Sequence, residues 1–228
     1  MAGTFETTAA IELVRTRSLP ALVQEEIIRM IREGELSRGD KLNESGLAAT
    51  LGVSRGPVRE AFQALVESGL LRQEKNRGVF VRTLSTEEVV DIYNVRAALD
   101  RLVGETVVLT VTEADLEGLR DLVARLDEAA AKRNIEVYYP LNLDFHGRIL
   151  ELSGNSRLIA MNRRLIDELH LCRRRNLLEE SGMAASNEEH RRIVDEIAGG
   201  DPEGAGSAMY DHVTAALGRQ LRLIRDET

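Results

Sequence analysis

The residues best equipped for chemistry in this chain of 228 residues are its four histidines, His146, His170, His190 and His212. Asn142 precedes His146 by one helical turn in the run NLDFH, so amide and imidazole would project from one face. Asp144 would sit about 200° round from Asn142 and face elsewhere. His190 and His212 each fall in the first half or middle of a later amphipathic segment. Three imidazoles and one amide oxygen, drawn from three helices of a bundle, would make a half-open site for a divalent transition metal, zinc or nickel by ligand type. Taken singly, each histidine is more often a surface or satisfied core residue. Spacing over about 70 positions does not decide between the two readings.

A second group of residues has chemistry of another kind. Arg55, Arg59 and Gln63 recur at i, i+4 and i+8 in SRGPVREAFQALVESG, on the side of a helix opposite Val58, Phe62 and Leu65, with Ala61 alongside the apolar face. Guanidinium forks of this kind bind guanine edges or phosphates in bidentate fashion. Gly56 removes a side chain between the two arginines and lets the backbone come close. Lys75, Asn76 and Arg77 sit at the tip of a short hairpin that could reach a minor groove or phosphates. Lone arginines on a helix are usually only solvated; the surrounding helix, turn, helix and hairpin favour reading DNA.

These residues need elements to position them. From Pro20, Val23, Ile27, Met30 and Ile31 recur at helical spacing until Gly34. A short helix then carries Leu47, Ala48 and Leu51 inward and turns at Gly52-Val53. Ser54 stands ready to cap the next helix, with Pro57 in its first turn. After Gly69 the chain alternates, turns at Asn76-Arg77-Gly78 and returns as VFVR, a small β-hairpin wing. Ser85-x-x-Glu88 has the form of a capping box and opens a region without strand signals. Six helices are expected there, over about 86–109, 113–132, 136–153, 156–180, 187–199 and 202–226. Thr112 with Asp115, Ser186-x-x-Glu189 and Asp201-Pro202 mark three of the starts. The fold class is mainly α: a winged helix-turn-helix over residues 1–84 and an all-α six-helix bundle over 85–228, with residues 1–17 a loose tail or short arm.

Charge follows the same division. The net charge is −8, but residues 1–84 carry about +1 and the rest about −9. Residues 54–84 hold six basic residues against three acidic ones. A locally basic segment on an acidic body suits a DNA reader whose second domain stays away from phosphates. No apolar run is long enough to span a bilayer, the N-terminus has no signal-peptide pattern, and a single cysteine, Cys172, fits a reducing cytoplasm.

The N-terminal third resembles the GntR family of bacterial regulators. The matching residues are Gly39, Leu42 and Glu44 in a G-x-x-L-x-E run, LGVSRGPVREA from Leu51 to Ala61, and NRGVFV from Asn76 to Val81. The resemblance implies DNA contacts from Ser54, Arg55 and Arg59 and from the wing around Asn76, Arg77 and Gly78. Ser45 and Gly46 stand where some relatives carry arginine or a longer polar side chain, which argues against base contacts from that helix. The remainder resembles the FCD ligand-binding domain of the FadR subfamily, in its six-helix VanR-type branch. It does so through IYNVRAALD, LNLDFHGRILELSGN, EEHRRIVDEIAGGD and MYDHV.

The second resemblance implies a metal held by Asn142, His146, His190 and His212, with His170 outside the set. Asn142 replaces the commoner Asp, so four neutral ligands would leave the ion's full charge in the cavity. Arg96, in the family-like YNVR stretch, could add a further positive charge and help bind a carboxylate or other oxyanion. It could equally pair with Asp100 one turn on, as a helix-surface pair. The resulting expectation is a cytoplasmic homodimer that binds an inverted-repeat operator as a repressor and responds to a small anionic metabolite, with no membrane partner. A metal hydrolase is the rival reading and lacks a convincing general base. A purely architectural DNA binder is the other.

Overall fold

The computed structural model describes residues 18–178 and 182–226; the expected tail over residues 1–17 and the last positions of the helix expected to reach 180 lie outside them. The chain divides near Thr83 into two compact units. In the first, α1 (Leu19–Glu33) starts behind Ser18, whose side chain accepts from the Ala21 N–H, and ends at Gly34 in the left-handed conformation. Then follow β1 (Lys41–Leu42), α2 (Glu44–Leu51), α3 (Arg55–Glu67), β2 (Leu71–Glu74) and β3 (Gly78–Val81). Val23, Ile27 and Ile31 of α1 and Val58, Ala61, Phe62 and Leu65 of α3 are buried, as the helical spacing requires.

The sheet has the order β1-β3-β2, antiparallel throughout. Its third strand was not expected: Lys41–Leu42 is too short to show an alternating pattern, and only its pairing opposite Phe80 and Val79 reveals it. The wing turns where Asn76 (φ 63°) and Gly78 (φ 112°) take left-handed backbone, which Gly tolerates best and Asn better than most residues. Leu47 and Leu51 are only half-buried, so Ala48 alone of the three expected residues of α2 is fully enclosed.

Among the described residues the second unit holds six helices: α4 (Thr86–Val107), α5 (Glu113–Ala131), α6 (Ile135–Leu152), α7 (Ser156–Leu178), α8 (Gly182–Gly199) and α9 (Pro202–Asp226). The capping boxes at Ser85/Glu88 and Thr112/Asp115 both form. The expected start at Ser186 is wrong. α8 begins a turn earlier, and Ser186 lies buried inside it, its hydroxyl turned inward to His190 instead of capping the helix.

The core runs through all of the helices, with Val103, Leu119, Leu126, Tyr138, Phe145, Ile149, Ile193 and Ala205 inaccessible to solvent. A smaller cluster joins α4, α7 and α9 around Tyr93, Leu169 and Val213. α4 and α9 pack closely because small residues face each other. A Cβ on Gly104 would lie 2.5 Å from the Ala205 carbonyl oxygen, and one on Gly206 only 3.0 Å from that of Arg101. This close packing fixes His212 of α9 against the rest of the bundle.

Candidate functional site

Three helices bring the histidines of the bundle together. His146 comes from the second half of α6, His190 from the middle of α8 and His212 from the middle of α9. Their ring centroids form a near-equilateral triangle with sides of 5.0, 4.9 and 4.9 Å, and at most 4% of any of the three is exposed. One ligand atom from each lies within 4.8 Å of the other two. A triangle of that side has its centre about 2.8 Å from each corner, so an inward shift of under about 1 Å would reach zinc–nitrogen bonding distance. Phe145 packs against His146 and His190 and walls the site on one side.

The donor chemistry fits a cation. His212 directs Nδ1 at Glu189 Oε2, 2.7 Å away; an ionised carboxylate only accepts, so Nδ1 carries a proton, and the neutral ring then has its lone pair at Nε2. His190 directs Nδ1 at Asn187 Oδ1, 3.2 Å away. The Asn187 amide nitrogen already donates to Val123 O and Asp127 Oδ1, which leaves its oxygen as acceptor and again puts the proton on Nδ1. The Ser186 hydroxyl reaches His190 Nε2 only at 3.5 Å, the weak limit of a hydrogen bond.

Asn142, one turn before His146, is fully buried, and neither its oxygen nor its nitrogen has a hydrogen-bond partner. Leaving such a group unpaired costs about 1–3 kcal/mol. It therefore calls for a partner that the protein itself does not supply, and an ion or a bound ligand beside His146 meets that need.

Around these residues lies a charged support that the sequence did not disclose. Glu189 receives two hydrogen bonds from Arg219, at 2.6 and 2.9 Å, besides the one from His212. Burial pushes the Glu189 carboxyl up, but the hydrogen bonds from Arg219 and His212 outweigh it and hold the pKa at about 2. His170 takes no part in this cluster. It is buried, and its Nδ1 meets the Tyr139 hydroxyl at 2.7 Å.

The spacing of Arg96 allows a helix-surface pair with Asp100 or a ligand contact. Arg96 is neither exposed nor at a surface: 1% of it is accessible, and Nη2 lies 3.2 Å from Asp100 Oδ2. The ion pair forms, but inside the bundle. The Nε and Nη2 atoms of Arg96 make no hydrogen bond, and Asp100 is held from α7 by Asn162.

In the first unit Arg55 and Arg59 project into solvent from the start of α3, their side chains 61% and 63% exposed. Both turn towards Glu44, the first residue of α2: Arg59 Nη2 lies 3.0 Å from its carboxylate and Arg55 Nη2 3.4 Å. The Arg59 hydrogen bond is the main reason that Glu44 stays below the usual carboxylate range. Sequence reasoning took Glu44 only as part of a motif; its distance of 11 and 15 positions from its partners gave no local signal. Ser54 occupies the N-cap position in extended backbone but makes no side-chain cap bond, so the expected capping role is not fulfilled and its hydroxyl stays at the surface. At the wing Arg77 is 72% exposed and leans over the Phe80 ring, as do Lys41 and Arg72, giving a cationic hairpin with Asn76 and Gly78 at its turn.

Comparison with known proteins agrees with both halves. Residues 21–81 match the model of "Bacterial regulatory proteins, gntR family", and residues 91–215 match that of the FCD domain. An uncharacterized HTH-type transcriptional regulator of Bacillus subtilis, YdhC, is 32% identical over 81% of this chain and 83% of its own. A probable D-xylose utilization operon transcriptional repressor of Paenarthrobacter nicotinovorans is 30% identical over 90% and 89%. Among solved structures, Escherichia coli McbR/YncC superposes with a TM-score of 0.81 at 23% identity, covering 91% of this chain and 99% of that one. A GntR regulator from a Rhodococcus species does so with a TM-score of 0.72 at 27%, covering 90% and 98%. The chain belongs to the GntR family of bacterial transcriptional regulators, with an FCD domain behind its DNA-binding head, and is a regulator rather than an enzyme.

Proposed function

We propose that the protein is a homodimeric, cytoplasmic repressor whose grip on an inverted-repeat operator is altered by a small carboxylate or oxyanion metabolite bound beside a metal in the bundle. Residues 1–84 form the reading head, and residues 85–228 sense and dimerise. The observation that carries the sensing half is the triangle of His146, His190 and His212 with the unpaired, buried Asn142 beside it. Asn142, His146, His190 and His212 would hold the ion, zinc or nickel by their chemistry, leaving further positions open for a ligand. Bound there, the ion supplies a fixed positive charge that attracts an oxyanion. The four residues offset none of that charge, and Glu189, the carboxylate on His212, is already paired with Arg219. Arg96, buried with Nε making no hydrogen bond and Nη2 engaged by Asp100, is the candidate for the ligand's carboxylate.

In the head, Ser54, Arg55 and Arg59 would meet base edges and phosphates in the major groove, and Asn76, Arg77 and Gly78 would touch the adjacent minor groove. A ligand that prefers one dimer geometry then shifts the population away from the geometry DNA prefers. The test is titration calorimetry of the metal-loaded protein with a panel of organic acids and phosphonates, followed by operator binding with and without each one bound. A bound acid that leaves operator affinity unchanged refutes the coupling.

A further inference from the structure

We infer that Glu189 and Arg219 form a positioning pair for His212, setting its tautomer and the orientation of its ring before any ion arrives. The inference rests on the proposed metal site but concerns residues that take no part in ligation. Glu189 comes from α8, next to His190 in sequence, yet its side chain crosses to α9. There it meets His212 and, two turns further along the same helix, Arg219. Arg219 is only 8% exposed and donates from both terminal nitrogens, so the carboxylate is gripped as by a fork and cannot rotate away from the imidazole.

The consequence lies at the opposite nitrogen. A neutral imidazole carries one N–H; with that hydrogen on Nδ1 and directed at Glu189, Nε2 is left as the only lone pair that can face His146 and His190. Without Glu189 the two tautomers become comparable in free energy and the ring can turn about its Cβ–Cγ bond. Arg219 acts one step further out: its two hydrogen bonds hold the Glu189 carboxylate in place although the pair is buried. The pair also locks α8 to α9, so it could serve packing alone, and the test must separate the two roles.

The full-length protein is compared with Glu189→Gln, Glu189→Ala and Arg219→Lys by competition titration of zinc against a chelator. In the metal-free proteins, nitrogen-15 spectra of the histidine side chains report the His212 tautomer at one fixed pH. Glu189→Ala should weaken zinc binding by about 10- to 100-fold. Glu189→Gln, which keeps an acceptor for the N–H, should weaken it less. Arg219→Lys, which keeps the charge but loses the fork, should weaken it least. In wild type His212 should be the Nδ1–H tautomer, and in Glu189→Ala a mixture. A packing role alone would lower the melting temperature while leaving zinc affinity within about threefold and the tautomer unchanged; that result overturns the inference. If Glu189→Ala does not fold, the two conservative variants decide. If wild type takes up no zinc, the metal site itself is wrong, and the tautomer spectra still judge the pair.

Discussion

Replacing Arg59 with alanine is the sharpest test of the reading head. In the free protein the Arg59 fork is held at 3.0 Å (Nη2) and 3.3 Å (Nε) from Glu44, with its side chain 63% exposed. An exposed pair of this kind adds little to folding because solvent screens it, so the melting temperature should barely move. Binding is different. If Arg59 grips a guanine edge, the variant loses one bidentate contact in each half-site, about 5- to 150-fold in affinity per contact. If it grips a phosphate, affinity falls on every sequence alike and the salt slope drops by about 1 per contact. An operator is first selected from a random duplex pool with the wild-type protein. Binding of both proteins to that operator and to a scrambled duplex is then measured by fluorescence anisotropy at several salt concentrations. An Arg59→Ala protein with unchanged operator affinity throughout would show that this face of α3 does not read DNA.

Other expectations follow from the same geometry. The Arg59 hydrogen bond is the first cause of Glu44's lowered pKa, so Arg59→Ala should raise the Glu44 midpoint towards its ordinary value in a carbon-13 carboxyl titration; an unmoved midpoint would mean that the pair does not form in solution. The sign is that of a depressed acid: the pair's contribution is complete above the ordinary value of 4.5 and fades only as pH falls through the lower, folded one. Gly104→Ala would drive a methyl into the backbone at Ala205, and thermal unfolding should show a loss of about 1–3 kcal/mol; a neutral outcome would mean that α4 and α9 are further apart than described. Asn142→Asp should tighten metal binding and weaken anionic effectors, because its carboxylate cancels cavity charge, and calorimetry showing both changing in the same direction would refute that account. His170→Ala should leave metal affinity unaltered, since His170 bonds to Tyr139 outside the cluster.

What the sequence revealed and what it hid divide on physical lines. Features within one helix were legible: the spacing of Val58, Phe62 and Leu65, the capping boxes at Ser85 and Thr112, and the shared face of Asn142 and His146. Features that depend on contacts between elements were not. β1 exists only through its pairing with β3. Glu44 meets its arginines, and Glu189 meets His212 and Arg219, only when one helix packs against the next, which no spacing within a single helix reveals. Ser186 misled because Ser-x-x-Glu has the form of a cap, whereas burial of Met183 and Ser186 carries the helix through it. Arg96 misled in the same way: spacing shows that it can pair with Asp100 but not that both are enclosed.

The central claim is that His146, His190 and His212, with Asn142, hold one ion at the heart of a regulator. The most direct measurement is elemental analysis of the purified chain combined with zinc titration of wild type and His190→Ala after chelator treatment. The account predicts one divalent ion per chain in wild type, bound in a single transition, and strongly weakened binding in His190→Ala with the helical signal intact. A wild-type protein that takes up neither zinc nor nickel, or a His190→Ala variant that binds as tightly as wild type, would contradict it.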